Sequence, residues 1–234
     1  MSILNKQLIQ QKFKAMGIHF LISLGIFLML ALWIGLILYP DMHITMSGGV
    51  QGLWLMFMVD VVLGPVLTLM IYNPSKGKRE KILDFSTIGA VQLSALLYGL
   101  WTVYIEHPKA IMMYDMGTAA VFNYQDLKTD EKWQQIDEVN TKWHGLPVVY
   151  YHYLPEKDDV EYVDLAKMDK EILLEVEKTV RFSMNEKEKE QLAELEKTHG
   201  KLWAFAIMGK YRGAFLILDK DFQIIAKIGE KPVG

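Results

Sequence analysis

The strongest constraint on the fold is an apolar run of 20 residues, from Leu53 to Tyr72, that carries a single carboxylate. About 20 residues are what a helix needs to cross a hydrocarbon core roughly 30 Å thick. Asp60 lies near the middle of the run, and Gly64-Pro65 follows one turn later. A carboxylate at that depth costs roughly 2.5–3.5 kcal/mol, so it is expected to face protein or water rather than lipid. The run therefore predicts a membrane-spanning helix with one functional polar position.

Two further apolar runs, Met16–Tyr39 and Phe85–Ile105, are of similar length and predict two more spans. The first run is longer than the apolar segment of a secretory signal peptide and lacks a small-residue cleavage site, so we expect an anchor. The chain is therefore divided at residue 105. Residues 1–105 form a three-span region (16–39, 53–72 and 85–105), and residues 106–234 have the composition of a soluble domain.

The orientation of the spans follows from Lys and Arg in their short flanks, which stay on the cytoplasmic side. Basic residues occur before the first span and between the second and third spans: Lys6, Lys12, Lys14, Lys76, Lys78, Arg79 and Lys81. The link between the first and second spans, residues 40–52, has none. With three spans, every basic flank lies on one side. We therefore predict a cytoplasmic N-terminus and a C-terminal domain outside the cytoplasm.

The C-terminal domain shows alternating signals for strands and helices. Strands are predicted at about 110–124 (two, around Asp115-Met116-Gly117), 146–154, 202–208, 211–218 and 222–228, and helices at 129–139, 168–181 and 185–199. The carboxylate-rich stretch Asp158–Glu161 is expected to be a solvated loop. The domain has roughly 125 residues, which is enough for its own core. The predicted fold class is a membrane protein with three transmembrane helices followed by a small α+β domain.

Several polar residues of the spans are predicted to share a depth in the membrane. At a rise of about 1.5 Å per residue, Asp60 lies level with Trp33 and Tyr98, whose N–H and O–H groups could donate to the carboxylate. Thr68 and Gln92 fall near one level closer to the cytoplasm. Two readings remain open for these polar atoms: they tie a three-helix bundle together, or they receive a polar group from a partner helix beside the Pro65 kink.

The sequence contains no signature of catalysis. It has no G-x-S-x-G, phosphate-binding loop or H-E-x-x-H motif, its histidines are scattered without metal-ligand spacing, and it has no cysteine. No enzymatic activity, metal or cofactor is therefore predicted. Residues 1–105 carry a net charge of +3 and the whole chain −3, so the C-terminal domain carries −6 without a basic stripe. This argues against nucleic-acid binding.

The chemistry favours a binding or assembly protein. The alternative is a membrane-anchored receptor whose outer domain binds a ligand. A receptor needs a cytoplasmic output segment, however, and the N-terminus and the loop 73–84 are both short.

Four segments resemble the type IV pilin accessory proteins of the TfpX/TfpZ type, which Gram-negative bacteria carry beside a major pilin. These segments are Lys14–Leu24, Val59–Leu69 (VDVVLGPVLTL), Asp84–Leu100 and Tyr211–Asp219. The resemblance covers all three spans well and the C-terminal domain only loosely. The acidic segment at residues 156–196 is longer and more charged than the corresponding segment expected for the family. It implies an accessory protein of the bacterial inner membrane with a periplasmic domain. Such a protein acts as a chaperone that binds and stabilises the major type IV pilin before pilus assembly, without enzymatic activity.

The resemblance and the span chemistry together predict an intramembrane site for a pilin helix. The predicted partner-binding residues are Trp33, Asp60, Gly64, Pro65, Thr68, Gln92 and Tyr98. His19, Leu63 and Leu67 also match the family pattern. A free edge strand of the hairpin at residues 211–228 is predicted to hold the pilin head.

Overall fold

The structure is a computed structural model that describes residues 3–114, 117–129, 131–132, 136, 139–165, 168 and 170–233. These residues form two compact units. The helical unit contains residues up to 38 together with 49–104, and the sheet unit contains residues 39–48 together with 105 onwards.

The helical unit consists of three long helical segments. The first is α1 (Ile3–Trp33), which continues as a π-helical stretch, Ile34–Leu38; the second joins α3 (Gly49–Met56) through a π-helical stretch to α4 (Gly64–Ile71); the third is α5 (Lys78–Ile105). The segments Lys6–Leu38, Gly49–Ile71 and Lys78–Ile105 are long and apolar enough to cross a membrane, with mean hydropathies of 2.7, 2.1 and 1.5. Most of their side chains face outward. Three such helices indicate that the protein associates with a membrane.

The second helical segment changes its winding around Asp60. Phe57–Leu63 is π-helical, and the Gly64 N–H donates to the Val59 carbonyl five residues back. Pro65 follows directly; it has no N–H, and its ring excludes the carbonyl four residues earlier from normal α-helical bonding. The predicted disturbance at Pro65 therefore takes the form of a widened turn. Such turns are frequent at functional sites.

The sheet unit is built on one eight-stranded sheet. Its strands are β1 (Pro108–Met113), β2 (Thr118–Asn123), β3 (Lys142–Trp143), β4 (Leu146–Leu154), β5 (Asp159–Asp164), β6 (Trp203–Met208), β7 (Arg212–Leu218) and β8 (Ile224–Pro232). The strand order is β3-β4-β1-β2-β6-β7-β8, and β5 also pairs with β4. The β1–β4 and β2–β6 pairs are parallel, and the remaining pairs are antiparallel.

Both faces of the sheet are covered near β7. Ala214, Leu216 and Leu218 of this strand belong to one apolar cluster, whereas Phe215 and Ile217 belong to another. Because side chains alternate between the faces of a strand, a strand buried on both sides reads as a continuous apolar run. A short helix, α6 (Tyr124–Leu127), follows β2. The second cluster includes side chains from α7 (Lys170–Ser183) and α8 (Glu186–His199). These helices therefore lie against that face of the sheet.

The link between the first two apolar segments is part of the sheet unit, although the sequence places it in the three-span region. Its short helix α2 (His43–Met46) contributes the fully buried Met46 to the core, and the Tyr211 N–H donates to the Met46 carbonyl at 2.9 Å. His43 is also fully buried, and its ring nitrogens have no hydrogen-bond partner in the described part of the chain. Burial, together with the charges of His144 and Lys227, lowers the pKa of His43 to about 3.

The predicted elements of the C-terminal domain match the structure in most places. Strands at 110–124, 146–154 and in the last third of the chain, and the helices near 168–181 and 185–199, are all present. The expectation of a solvated loop at Asp158–Glu161 is wrong from Asp159 onward, because β5 pairs there with β4. The predicted helix at 129–139 lies mostly outside the described residues. Asp115 and Met116, at the turn between the first two strands, lie outside them as well.

Candidate functional site

Polar side chains from all three helical segments meet at His19. The Nδ1 atom of His19 lies 2.5 Å from the Thr68 hydroxyl oxygen, and the Gln92 side chain also hydrogen-bonds the His19 ring. His19 belongs to α1, Thr68 to α4 and Gln92 to α5. Thr68 is fully buried. One histidine therefore joins the three segments through hydrogen bonds in an otherwise apolar bundle.

Gly64 allows Gln92 to reach this junction. A Cβ atom at position 64 would overlap the amide nitrogen of Gln92 and lie 2.8 Å from its Cδ. Gly64 and Pro65 are both buried. The two residues therefore lie inside the bundle, where the absence of a side chain at position 64 leaves room for the amide.

A cavity of about 190 Å³ opens beside this junction, between the three segments. Its polar lining consists of His19, Ser23, Asp60 and Gln92, and apolar side chains and Gly89 form the rest of the wall. About 10–15 Å³ of such volume holds one water molecule. The cavity is therefore large enough for several waters or for a side chain inserted from outside the unit.

Asp60 has no hydrogen-bond donor among the described residues of the helical unit. Its carboxylate is half-buried, on the π-helical turn that faces the cavity. A carboxylate can accept about four hydrogen bonds. The cavity therefore presents an unused acceptor among apolar walls, beside an amide and an imidazole.

The structure brings together five of the seven predicted site residues and leaves two apart. Asp60 and Gln92 line the cavity, Gly64 packs against Gln92, and Thr68 hydrogen-bonds His19. Pro65 is buried next to Gly64. Trp33 and Tyr98 are 40% and 73% exposed, and in the described part of the chain neither donates to Asp60. The expected pairing of these two rings with the carboxylate is absent here. Their role in partner contact stays a prediction.

Sequence reasoning left two residues out of the predicted site, His19 and Ser23. They lie four positions apart in an apolar run, and a spacing of four places two side chains on the same face of a helix. That spacing was the available signal. In the sequence, His19 stands out only as a match to the family pattern, and Ser23 does not stand out.

The sheet unit offers a second candidate surface at β8. Strand β7 lies between β6 and β8, so the end strand of the predicted hairpin is β8, Ile224–Pro232. Charged residues Lys227, Glu230 and Lys231 lie along it. Charges on an edge strand discourage uncontrolled pairing with other chains. Among the described strands, none pairs with the outer edge of β8, and its charges protect that edge against general aggregation.

The fold and the site define a class of protein with two parts: a helical unit apolar enough for a membrane, with a polar cavity inside it, and a sheet unit joined to it. Comparison with known proteins makes this class more specific. Over 128 residues the chain is 35% identical to the fimbrial assembly protein of serogroups C1 and C2 of Dichelobacter nodosus, covering 55% of this chain and 97% of that protein. The chain belongs to this family of fimbrial assembly proteins.

Two longer relatives from the same organism carry the same description. The chain is 34% identical over 155 residues to the fimbrial assembly protein of serogroup I and 35% identical over 151 residues to that of serogroup E1. These alignments cover 66% and 64% of this chain but only 58% and 57% of the relatives. No family model matches the chain. No solved structure matches it either.

Proposed function

We propose that this protein is an inner-membrane accessory protein that binds and stabilises the major type IV pilin before it enters the pilus, without catalysing a reaction. Its role in fimbrial assembly is supported by the family to which the chain belongs. The finer assignment to pilin rests on the resemblance of the spans to pilin accessory proteins. A chaperone for a membrane-embedded subunit needs a site within the bilayer. The observation that carries the proposal is the Asp60 carboxylate, which lines the cavity and has no donor among the described residues of the helical unit.

The three apolar segments cross the inner membrane with the N-terminus in the cytoplasm. The basic flanks favour this orientation. A second argument is the packing of residues 39–48 into the sheet unit with residues 105 onwards, which requires both chain stretches to lie on one side of the membrane. Crossings by the second and third segments return the chain to that side. The sheet unit is then periplasmic.

The pilin helix docks at the cavity and donates a hydrogen bond to Asp60. Because Thr68, Gly64 and Pro65 are buried inside the bundle, they support the residues of the site and do not contact the pilin helix themselves. Hydrogen bonds between helices in membranes contribute roughly 0.6–2 kcal/mol each. Hydrogen bonds of that strength suit a chaperone that must release pilin to the growing pilus. The free edge of β8 gives the sheet unit a way to bind the pilin head by strand addition.

Crosslinking and co-purification from native membranes test the docking site with two variants of one residue. Asp60→Leu removes the acceptor and is expected to weaken pilin recovery about 3- to 30-fold, the equivalent of roughly 0.6–2 kcal/mol. Asp60→Asn keeps one acceptor oxygen and is expected to have a smaller effect. Asp84→Asn is the matched control, since Asp84 pairs with Lys76 away from the cavity. Undiminished pilin recovery and lifetime in both Asp60 variants would eliminate the proposed contact.

The orientation is tested by single cysteines, because the natural chain has none. Lys220→Cys, in the exposed turn before β8, is expected to react with a membrane-impermeant thiol reagent in intact spheroplasts. Ser75→Cys, in the exposed link between the second and third segments, is expected to react only after lysis. The reverse pattern would contradict the proposed topology and, with it, any contact with the periplasmic head of pilin.

A further inference from the structure

The turn between β6 and β7 lies near the sheet-unit residues at which the chain enters or leaves the helical unit. Lys210 pairs with Glu106, the residue after the last residue of α5, at 3.1 Å. The ring of Tyr211 packs against Gly48, which precedes the first residue of α3, because a Cβ there would lie 2.8 Å from the ring. Tyr39 lies close enough to Glu106 and Tyr211 to interact electrostatically with both. The turn is therefore held beside these connections.

Exposed apolar side chains of the sheet unit are concentrated at this turn. Among the described residues of the unit, six large apolar side chains are exposed: Tyr153, Leu174, Phe182, Met208, Tyr211 and Val233. Three of the six, Met208, Tyr211 and Val233, lie together and form what we call the turn patch. The Val233 N–H donates to the Tyr211 carbonyl at 3.0 Å, and the side chains of Met208 and Val233 flank Gly213.

We infer that the turn patch inserts into the headgroup layer of the bilayer that holds the helical segments. The inference rests on the proposed crossing of the membrane by those segments. If they cross, Glu106 and Gly48 lie at the bilayer surface, since each is one residue from the end of an apolar segment. The Lys210–Glu106 pair and the Tyr211–Gly48 contact then bring the patch to the same level.

The composition of the turn patch fits the headgroup layer of a bilayer. Tyrosine is enriched at membrane interfaces because its ring is apolar and its hydroxyl is polar. Met208 and Val233 are 52% and 42% exposed and bring apolar area, whereas the neighbouring Lys210 keeps its charge at the polar level. The lipid surface is therefore a second partner of this unit.

Spin labels on single cysteines test the contact in the whole 234-residue chain, reconstituted into liposomes of phosphatidylethanolamine and phosphatidylglycerol. Met208→Cys and Val233→Cys report on the turn patch. Phe182→Cys, at a position 90% exposed on α7, is the aqueous control, and Leu32→Cys, at a position 63% exposed on α1, is the lipid control. Collision of each label with oxygen, which concentrates in lipid, is compared with collision with a water-soluble nickel chelate.

The ratio of oxygen to nickel collisions at positions 208 and 233 is expected to lie between the two controls and several-fold above position 182. A ratio equal to that at position 182, with position 32 in lipid, would overturn the lipid contact while leaving the membrane crossing intact. An aqueous ratio at position 32 would overturn the crossing and the lipid contact together. Two independent label positions keep the test decisive if one substitution disturbs the turn.

Discussion

Replacing Gly64 with alanine tests how closely Gln92 packs against the second helical segment. A Cβ at position 64 would overlap the Gln92 amide, which is the end of a flexible side chain. We therefore expect the amide to swing away and give up its hydrogen bond to His19. The lost hydrogen bond costs roughly 0.6–2 kcal/mol. The gain in helix propensity from glycine to alanine offsets about 0.5–1 kcal/mol of that cost.

Gly25→Ala isolates the propensity gain, because a Cβ at position 25 of α1 meets no atom within 4 Å. The free energy of unfolding of Gly64→Ala is expected to fall below that of Gly25→Ala by roughly 0.6–2 kcal/mol. In a Gln92→Ala background the amide is gone, so the two alanine variants are expected to have equal effects. Unfolding of the purified protein in detergent micelles, followed by circular dichroism, gives all of these free energies.

The reasoning would be refuted if the difference between the two alanine variants were the same with and without Gln92. That result would mean that a contact other than the one with the Gln92 amide makes an alanine side chain unfavourable at position 64. If the difference disappears with Gln92, the junction of His19, Thr68 and Gln92 contributes to the stability of the bundle. The coupling free energy between positions 64 and 92 then measures how much the packing of the Gln92 amide against Gly64 contributes to stability.

Two further predictions concern the sheet unit, measured as urea unfolding of the full chain in micelles. The pKa of His43 is lowered from 6.5 to about 3 in the folded protein, so only the unfolded state takes up the proton as pH falls from 6.5 toward 3. Stability is therefore lost below pH 6.5, by about 2 kcal/mol at pH 5, and His43→Leu is expected to remove that part of the pH dependence. Arg181 pairs with the buried Glu177 and with Glu196, so Arg181→Met is expected to lower the free energy of unfolding by about 2–3 kcal/mol. The double variant Arg181→Met/Glu177→Leu is expected to regain most of that loss, because it also removes the buried carboxylate left without its partner. An unchanged pH profile in the first case, or no recovery in the second, would contradict these assignments.

The helical elements could be predicted from the sequence because their signals are local. Apolar length alone identifies the three segments, and the structure extends each of them by several residues at the N-terminal end. The boundary of α8 is also local. Asn185 accepts from the Glu188 N–H, the Glu188 side chain accepts from the Asn185 N–H, and Gly200 ends the helix at a positive φ of 79°. Signals of this kind need no knowledge of the tertiary fold.

The misses all depend on tertiary contacts that the sequence does not display. The strand at 159–164 resembles a loop in sequence because charged residues alternate with its apolar ones, whereas in the structure its pairing with β4 stabilises it. Residues 39–48 looked like a simple link between spans, but their buried side chains complete a core formed by strands more than 60 residues away. Depth along the membrane placed Trp33 and Tyr98 level with Asp60, yet depth does not specify the direction in which a side chain points.

The sequence left two interpretations open for the polar residues of the spans: they hold the bundle together, or they bind a partner helix. In the structure, each interpretation fits different residues. Thr68 is fully buried against His19, and Gly64 makes room for Gln92, so these residues hold the bundle together and their loss is expected to reduce stability. Asp60 faces the cavity without a donor among the described residues of the helical unit, so its replacement by leucine removes a carboxylate that is costly to hold there. We therefore expect Asp60→Leu to preserve or raise the stability of the isolated protein while it weakens pilin recovery. Replacing a residue that only holds the bundle together would lower both the stability and the pilin recovery. The opposite effects on stability and on binding therefore distinguish a docking residue from a structural one.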